Sequence, residues 1–323
     1  MTTVDLMTAP LLEELEPGAP GPRVVALGGG HGLAQALTAI RGYAAAITAV
    51  VSVADDGGSS GRLAPALGLP PPGDCRRALL ALSPDPSPWR AAVCHRFEAG
   101  DVAGHSLGNL LLAALAVSEG GLEEALATLG RLLGARGRVV PAAPVPLRLQ
   151  AVIDGTVVWG QVAIALNRGR IDSLAVEPPD AAASLAALAA LAEADQVVIG
   201  PGSLFTSLAA TLVVPGMAAG VNASRGRLVY VCNLTTQDGE TLGLDGAAHV
   251  RALCAVTGMR APDVVVANDA PFRGPGALEA VWADRGEIES LGAKVEAAGL
   301  AEAAAPWPQH DAARLGAVLR RLA

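Results

Sequence analysis

The sequence is short of aromatic rings, at 3% of 323 residues, and carries a single lysine, Lys294, among 23 basic side chains. The first shortage argues against an extensive stacking platform for planar ligands. The second removes one route to phosphate: no G-x-x-x-x-G-K-[ST] occurs, so a phosphate must be met by arginines and backbone N–H groups. The four cysteines, Cys75, Cys94, Cys232 and Cys254, are widely spaced and form no C-x-x-C pair, which argues against a zinc knuckle or a disulfide framework and predicts free, mostly buried thiols. No uninterrupted apolar run reaches the roughly 18 residues of a spanning helix, so no membrane span is expected. The net charge of −8 argues against a nucleic-acid binder with a broad basic surface and leaves room for a local anion site. Residues 1–22 lack a basic stretch ahead of an apolar core, and read as a mobile N-terminal tail of a cytoplasmic protein.

What is present is alternation. Half of the chain, 51%, is apolar, with 38 glycines and 23 prolines, enough to bury one large α/β domain or two smaller ones. Near-continuous β-branched runs, RVVALG (23–28), ITAVVSVA (47–54), DQVVIGPG (195–202), RLVYVCN (227–233) and DVVVAND (263–269), are separated by helical patterns. Strands of that texture are buried on both faces, which predicts an α/β fold with a doubly wound, mostly parallel sheet. Helices are expected from Gly32 to Arg41, Asp74 to Leu82, Trp89 to Glu98, Ser106 to Ser118, Leu122 to Leu133, Asp180 to Glu193, Asp245 to Val256 and His310 to Leu322, with Ser106 as an N-cap. Between about 138 and 178 the pattern alternates and carries Asp154-Gly155, a strong hairpin signal, so a small antiparallel insertion is predicted there. With no internal repeat or linker, residues 23–323 read as a single domain.

In an open parallel sheet, ligands bind beyond the carboxyl ends of the strands, near the switch in strand order. The polar and glycine-rich loops all fall at such ends. After the first strand, Gly29, Gly30, His31 and Gly32 would let a backbone and a helix N-terminus approach an anion. After the second, Asp55 and Asp56 could meet a ribose hydroxyl or a hydrated Mg²⁺, while Gly57 to Gly61, including Ser59 and Ser60, wrap a ligand and Arg62 neutralises a phosphate. In PPPGDCRR (70–77) Asp74 reads as an N-cap, and Arg76 and Arg77 oppose the helix dipole, which points to a local anion. His105 and Asn109 stand one helical turn apart. Two further loops, with Gly200, Gly202, Ser203 and Thr206, then Asn233 and Gln237, are dense in donors suited to the hydroxyls of a nucleotide sugar.

Taken in order, GGGHGL, VSVADDGGSSGRL, PPGDCRRALLAL, HRFEAGDVAGHSLGNLLLAAL, VIGPGSLFTSL, NLTTQDGET, DGAAHV and the terminal HD (310–311) resemble the YvcK-type gluconeogenesis factors within the broader CofD-like family, from residue 23 to the end. The resemblance implies a Rossmann-like three-layer fold and a cytoplasmic regulatory protein needed for growth and cell shape on gluconeogenic carbon sources. It implies binding of UDP-N-acetylglucosamine or a related UDP-sugar, with no cofactor required. An alternative implication is a Mg²⁺-dependent transferase that moves a phospholactyl group from a nucleotide diphosphate donor, with Asp55 or Asp56 holding the metal; the few aromatics disfavour its deazaflavin acceptor. A homodimer and a regulated protein partner are further expectations. Three positions depart from the family pattern: His31 stands where threonine is usual, Gln161 where an acid is usual, and Thr235 where methionine is usual.

Overall fold

The computed structural model describes residues 20–270, 278–302 and 307–323, so the expected tail lies outside the described residues up to position 19. Seven strands form one parallel sheet: β1 (Arg23–Gly28), β2 (Ala46–Val51), β3 (Arg138–Pro141), β7 (Gln196–Ile199), β8 (Arg227–Val231), β9 (Val264–Asn268) and β10 (Lys294–Ala298). Between β3 and β7 the chain makes β4 (Arg148–Ile153), β5 (Thr156–Trp159) and β6 (Ile171–Glu177), a separate antiparallel sheet in the order β5-β4-β6. The expected hairpin turn is there: Asp154 and Gly155 both take positive φ, 47° and 77°, the signature of a two-residue turn that matches strand twist.

The order of the large sheet is β10-β9-β8-β7-β1-β2-β3. Chain direction across the sheet therefore reverses between β1 and β7, and a crevice opens at their carboxyl ends. The strands are apolar throughout because helices cover both faces; Val24 to Leu27, Ala49 to Val51 and Val197 to Ile199 are all at most 2% exposed. On one face α1 (Gly30–Ile40) packs against α3 (Gly73–Leu82) and the C-terminal helix Ala312–Arg321; the helices Leu185–Glu193 and Met217–Ala223 pack together on the other. No single helix among the described residues is long and apolar enough to cross a membrane.

Four local expectations need correction. The small-residue stretch after Asp56 is not a loop: α2 runs from Gly58 to Leu67 and ends at Gly68, which takes φ of 65°. The antiparallel sheet begins at Arg148, since β3 pairs with β2 in parallel. The helix expected from Trp89 to Glu98 is α4 (Pro88–Cys94), and it stops before α5 (Leu107–Glu119), which Ser106 caps as expected through Asn109 N at 3.3 Å. All four cysteines are free, but only Cys75 and Cys232 are buried.

Candidate functional site

A cleft of about 480 Å³ sits at the carboxyl ends of β1 and β2, where the loop after β7 closes one side. The loops after β1 and β7 touch: a Cβ on Gly32 would lie 2.2 Å from the Pro201 carbonyl oxygen, so no larger residue fits. The expected Gly29, Gly30, His31, Gly32, Asp55, Gly57, Ser59, Ser60, Asp74, Arg76, Arg77, Asn109, Gly202 and Ser203 all line this cleft.

The helix N-terminus of α1 is already engaged. Asp74 does not cap its own helix; its Oδ2 accepts from Gly30 N at 2.7 Å, and its Oδ1 is paired with Arg77. Burial raises the Asp74 pKa, opposed by the Arg77 charge and the Gly30 hydrogen bond. Asp74 thus places a negative oxygen at the N–H where the sequence predicts an external anion.

The two adjacent aspartates diverge. Asp55 faces the cleft, with Oδ1 accepting from Gly57 N at 3.0 Å. Asp56 turns outward and accepts from Val162 N at 3.0 Å, at the start of the short helix Gln161–Ala165. Of the two aspartates expected at a metal, only Asp55 lines the cleft, where Asp74 is the second carboxylate. No group of three or more metal-ligating side chains occurs among the described residues.

Because the stretch after Asp56 is helical, Ser59 and Ser60 point inward and are buried. Ser60 Oγ accepts from Gly73 N at 3.2 Å. Ser59 Oγ is a hub: Asn109 Nδ2 donates to it at 3.0 Å, and His105 Nδ1 lies 2.9 Å away. Burial, with Arg62 and Arg96 nearby, lowers the His105 pKa and favours a neutral ring that can accept the Ser59 proton. Asn109 Oδ1 in turn accepts from Arg76 Nε at 2.9 Å. His105 is a support for this chain of contacts and does not itself line the cleft.

Arg76 is 7% exposed, and burial together with Arg77 lowers its pKa. Its Nε is used, which leaves the terminal guanidinium nitrogens as donors at the cleft. Arg96, which sequence reasoning missed, lines the cleft as well. Arg62 does not: its guanidinium donates to the Ala103 carbonyl at 2.9 Å. The lining thus sets Arg76, Arg77 and Arg96 against Asp55 and Asp74, a cationic excess suited to a phosphate.

On the other wall, Gly200 and Thr206 are absent from the cleft lining. Thr206 lies within a buried π-helical turn, Leu204–Ala209, and its hydroxyl is bonded to Glu240. Glu240 also accepts from Phe205 N at 3.0 Å and Thr206 N at 3.4 Å. Burial raises its pKa, and only these hydrogen bonds oppose the shift. Asn233 joins the two loops by a reciprocal pair, accepting from Gly202 N at 3.0 Å and donating to Gly202 O at 2.9 Å. Asn233 and Gln237 line a second chamber of about 640 Å³, which shares His31, Gly32, Gly202 and Ser203 with the first. His31 sits between the two, its pKa lowered by burial and by Arg77. The second chamber also has Gln35 and Trp307, which the sequence pattern did not mark, and His310 of the terminal HD.

Fold and site together define a doubly wound α/β protein with an arginine-lined crevice at its switch point. Residues 24–300 match the family of 2-phospho-L-lactate transferase CofD, and the chain belongs to that CofD-like family. Within it, the chain is 42% identical over 310 residues to a Mycobacterium tuberculosis protein named "Putative gluconeogenesis factor", covering 92% of this chain and 89% of that one. A Nostoc sp. protein of the same name is 44% identical over 242 residues, 74% of this chain; the match spans about half, 53%, of that longer protein. A crystal structure of a UPF0052 family member from Bacillus halodurans superposes with a TM-score of 0.89 at 35% identity, covering 94% of this chain and 100% of that one.

Proposed function

We propose that the protein is a gluconeogenesis factor that binds a UDP-sugar, UDP-N-acetylglucosamine or a close relative, and acts as a regulator without turning it over. The observation that carries this reading is the pair of joined chambers, one with arginine donors at Arg76 and Arg96 and the other rich in amides and hydroxyls. A diphosphate in the first and a nucleoside or sugar in the second would use both sets of donors. Asp55 repels a bare diphosphate, so the ligand would approach with its charge compensated by the arginines or by Mg²⁺. Its role would lie in cell shape and cell-wall homeostasis on gluconeogenic carbon sources, in the cytoplasm.

The residues also fit Mg²⁺ brought in by a phosphate ligand. Asp55 Oδ2 is free of hydrogen bonds among the described residues, and Mg²⁺ commonly takes one or two carboxylates plus phosphate oxygens. There the ion would neutralise phosphate charge. This favours, as a second reading, a phospholactyl transferase in which Asp55 holds the metal and Arg76 and Arg96 orient the diphosphate.

One experiment separates them. A UDP-sugar at about 100-fold above Kd should stabilise the fold by roughly 2.7 kcal/mol, visible as a thermal shift. Overnight incubation with Mg²⁺ should leave UDP-sugars chemically intact by mass spectrometry, and so should incubation of a lactyl-diphosphoguanosine donor with a deazaflavin acceptor. No shift with UDP-N-acetylglucosamine, UDP-glucose or UDP would sink the binding reading. A transfer product that vanishes in Asp55→Asn would replace it with the enzyme.

A further inference from the structure

At the opposite end of the sheet, below the amino ends of β1, β2 and β3, a groove of about 840 Å³ lies between those strands and the helix Leu185–Glu193. Its walls are alanine-rich, with Ala44 to Ala46 on one side and Ala186, Ala189 and Ala190 on the other. Small side chains there leave the volume open. Four arginines stand around it: Arg23, Arg41, Arg136 and Arg138.

Two of the four are engaged. Arg23 pairs with Glu193 and Asp195, and Arg41 donates to the carbonyls of Ala81 and Ser83 at 3.2 and 2.6 Å. Arg136 and Arg138 are exposed, and neither forms a salt bridge among the described residues. An apolar floor under two guanidinium groups with no carboxylate partner among the described residues suits an occupant with both leucine-sized side chains and carboxylates.

The chain supplies such a segment. Residues 1–19 contain Asp5, Glu13, Glu14 and Glu16 with no lysine or arginine, and their apolar residues include Leu6, Leu11, Leu12 and Leu15. The segment leads through Pro20, Gly21 and Pro22 into Arg23, which is itself on the groove. From Arg23 back to Leu15 is eight residues, a reach of up to roughly 28 Å at 3.3 to 3.6 Å each. Attachment so close also gives a high effective concentration, on the order of millimolar for a short tether.

We propose that residues 1–19 dock in this groove of their own chain, with the leucines over the alanine floor and the glutamates against Arg136 and Arg138. The segment expected to be a mobile tail would then be a strap across the amino end of the sheet, remote from the ligand crevice.

The test uses the full chain in a Cys94→Ser background, with one thiol introduced by Leu12→Cys and a second by Ala189→Cys in the groove. A control pairs Leu12→Cys with Val162→Cys, at the other end of the sheet. Under mild oxidation the groove pair should form an intramolecular disulfide at least tenfold faster than the control, read by non-reducing mass spectrometry. Arg136→Glu with Arg138→Glu should bring that rate down towards the control. Adding Glu13→Arg and Glu14→Arg should restore it, which separates lost docking from lost folding. Equal rates for groove and control pairs would overturn the proposal. So would a rate indifferent to every charge change, and so would a disulfide formed between two molecules, since the occupant would then be a second copy.

Discussion

Two turns in this molecule look alike from the backbone and differ in what closes them. Each follows a central strand, β1 or β7, runs through glycines and enters a helical turn whose leading N–H groups are taken by a carboxylate from elsewhere in the chain: Asp74 at Gly30, Glu240 at Phe205 and Thr206. Asp74 has Arg77 beside it, lines the open cleft and is flanked by Arg76. Glu240 has no salt-bridge partner among the described residues and is held by two backbone N–H groups and a hydroxyl. A carboxylate with a cation at its side can be displaced by a stronger anion, because the cation stays to receive it. One held only by buried donors cannot leave without stranding them. The first turn therefore keeps a cation beside its carboxylate at an open cleft, and the second is closed within the framework.

The largest effect should come from the fixed turn. Glu240→Ala strands two N–H groups and a hydroxyl, and should cost about 3 kcal/mol of stability, a fall in Tm of roughly 5 °C or more. A Tm within a degree of wild type would show that water or a neighbour replaces Glu240, and the two turns would no longer differ. Next, Arg76→Ala should weaken UDP-sugar binding by about 1 to 3 kcal/mol by calorimetry. Because Arg76 is buried and holds Asn109, some loss of apo stability should accompany it. Intact affinity with a large drop in Tm would make Arg76 structural only.

Smaller and opposite in sign, Asp74→Asn keeps an oxygen for Gly30 N while removing a negative charge from the cleft. It should tighten UDP-sugar binding in the absence of divalent metal by about 1 kcal/mol. Weaker binding would mean that Asp74 contacts the ligand favourably. The smallest effect is in pH dependence. Burial raises the Glu240 pKa, so the folded state holds its proton more tightly than the unfolded chain does. That contribution to stability is fully present below the unfolded-state pKa and is lost as pH rises through the raised folded-state value. Glu240→Gln should flatten this part of the Tm–pH curve relative to wild type. An unchanged curve would mean that Glu240 titrates normally in the fold.

The parallel sheet and its crevice were legible in the sequence because continuous Val and Ile runs and glycine turns are local signals. Two strands were missed for the same reason: RVVP is only four residues long, and KVEAA lacks the β-branched texture. Small residues misled at Gly58 to Ser60, where glycines and serines form the first turn of a helix. Most of the cleft lining was found, since it comes from turns at strand ends. The direction of side chains was not. Asp56, Arg62, His105 and Thr206 lie in the marked motifs yet face other partners, and Arg96 reaches the cleft from a marked motif in which no site residue was expected at that position. Whether a side chain faces a ligand or a neighbouring loop depends on contacts distant in the chain, such as Asp56 with Val162, which motif spacing does not encode.

Asp55 and Asp56 share one peptide unit, and they point to different parts of the molecule: one to the cleft, the other to the helix that follows β5. The planar amide between them fixes their Cα atoms about 3.8 Å apart, so the carboxylate at the cleft and the carboxylate that anchors the Val162 helix N-terminus are one residue from each other. The cleft and the antiparallel sheet are therefore neighbours along the chain as well as in space, joined at consecutive letters of the sequence.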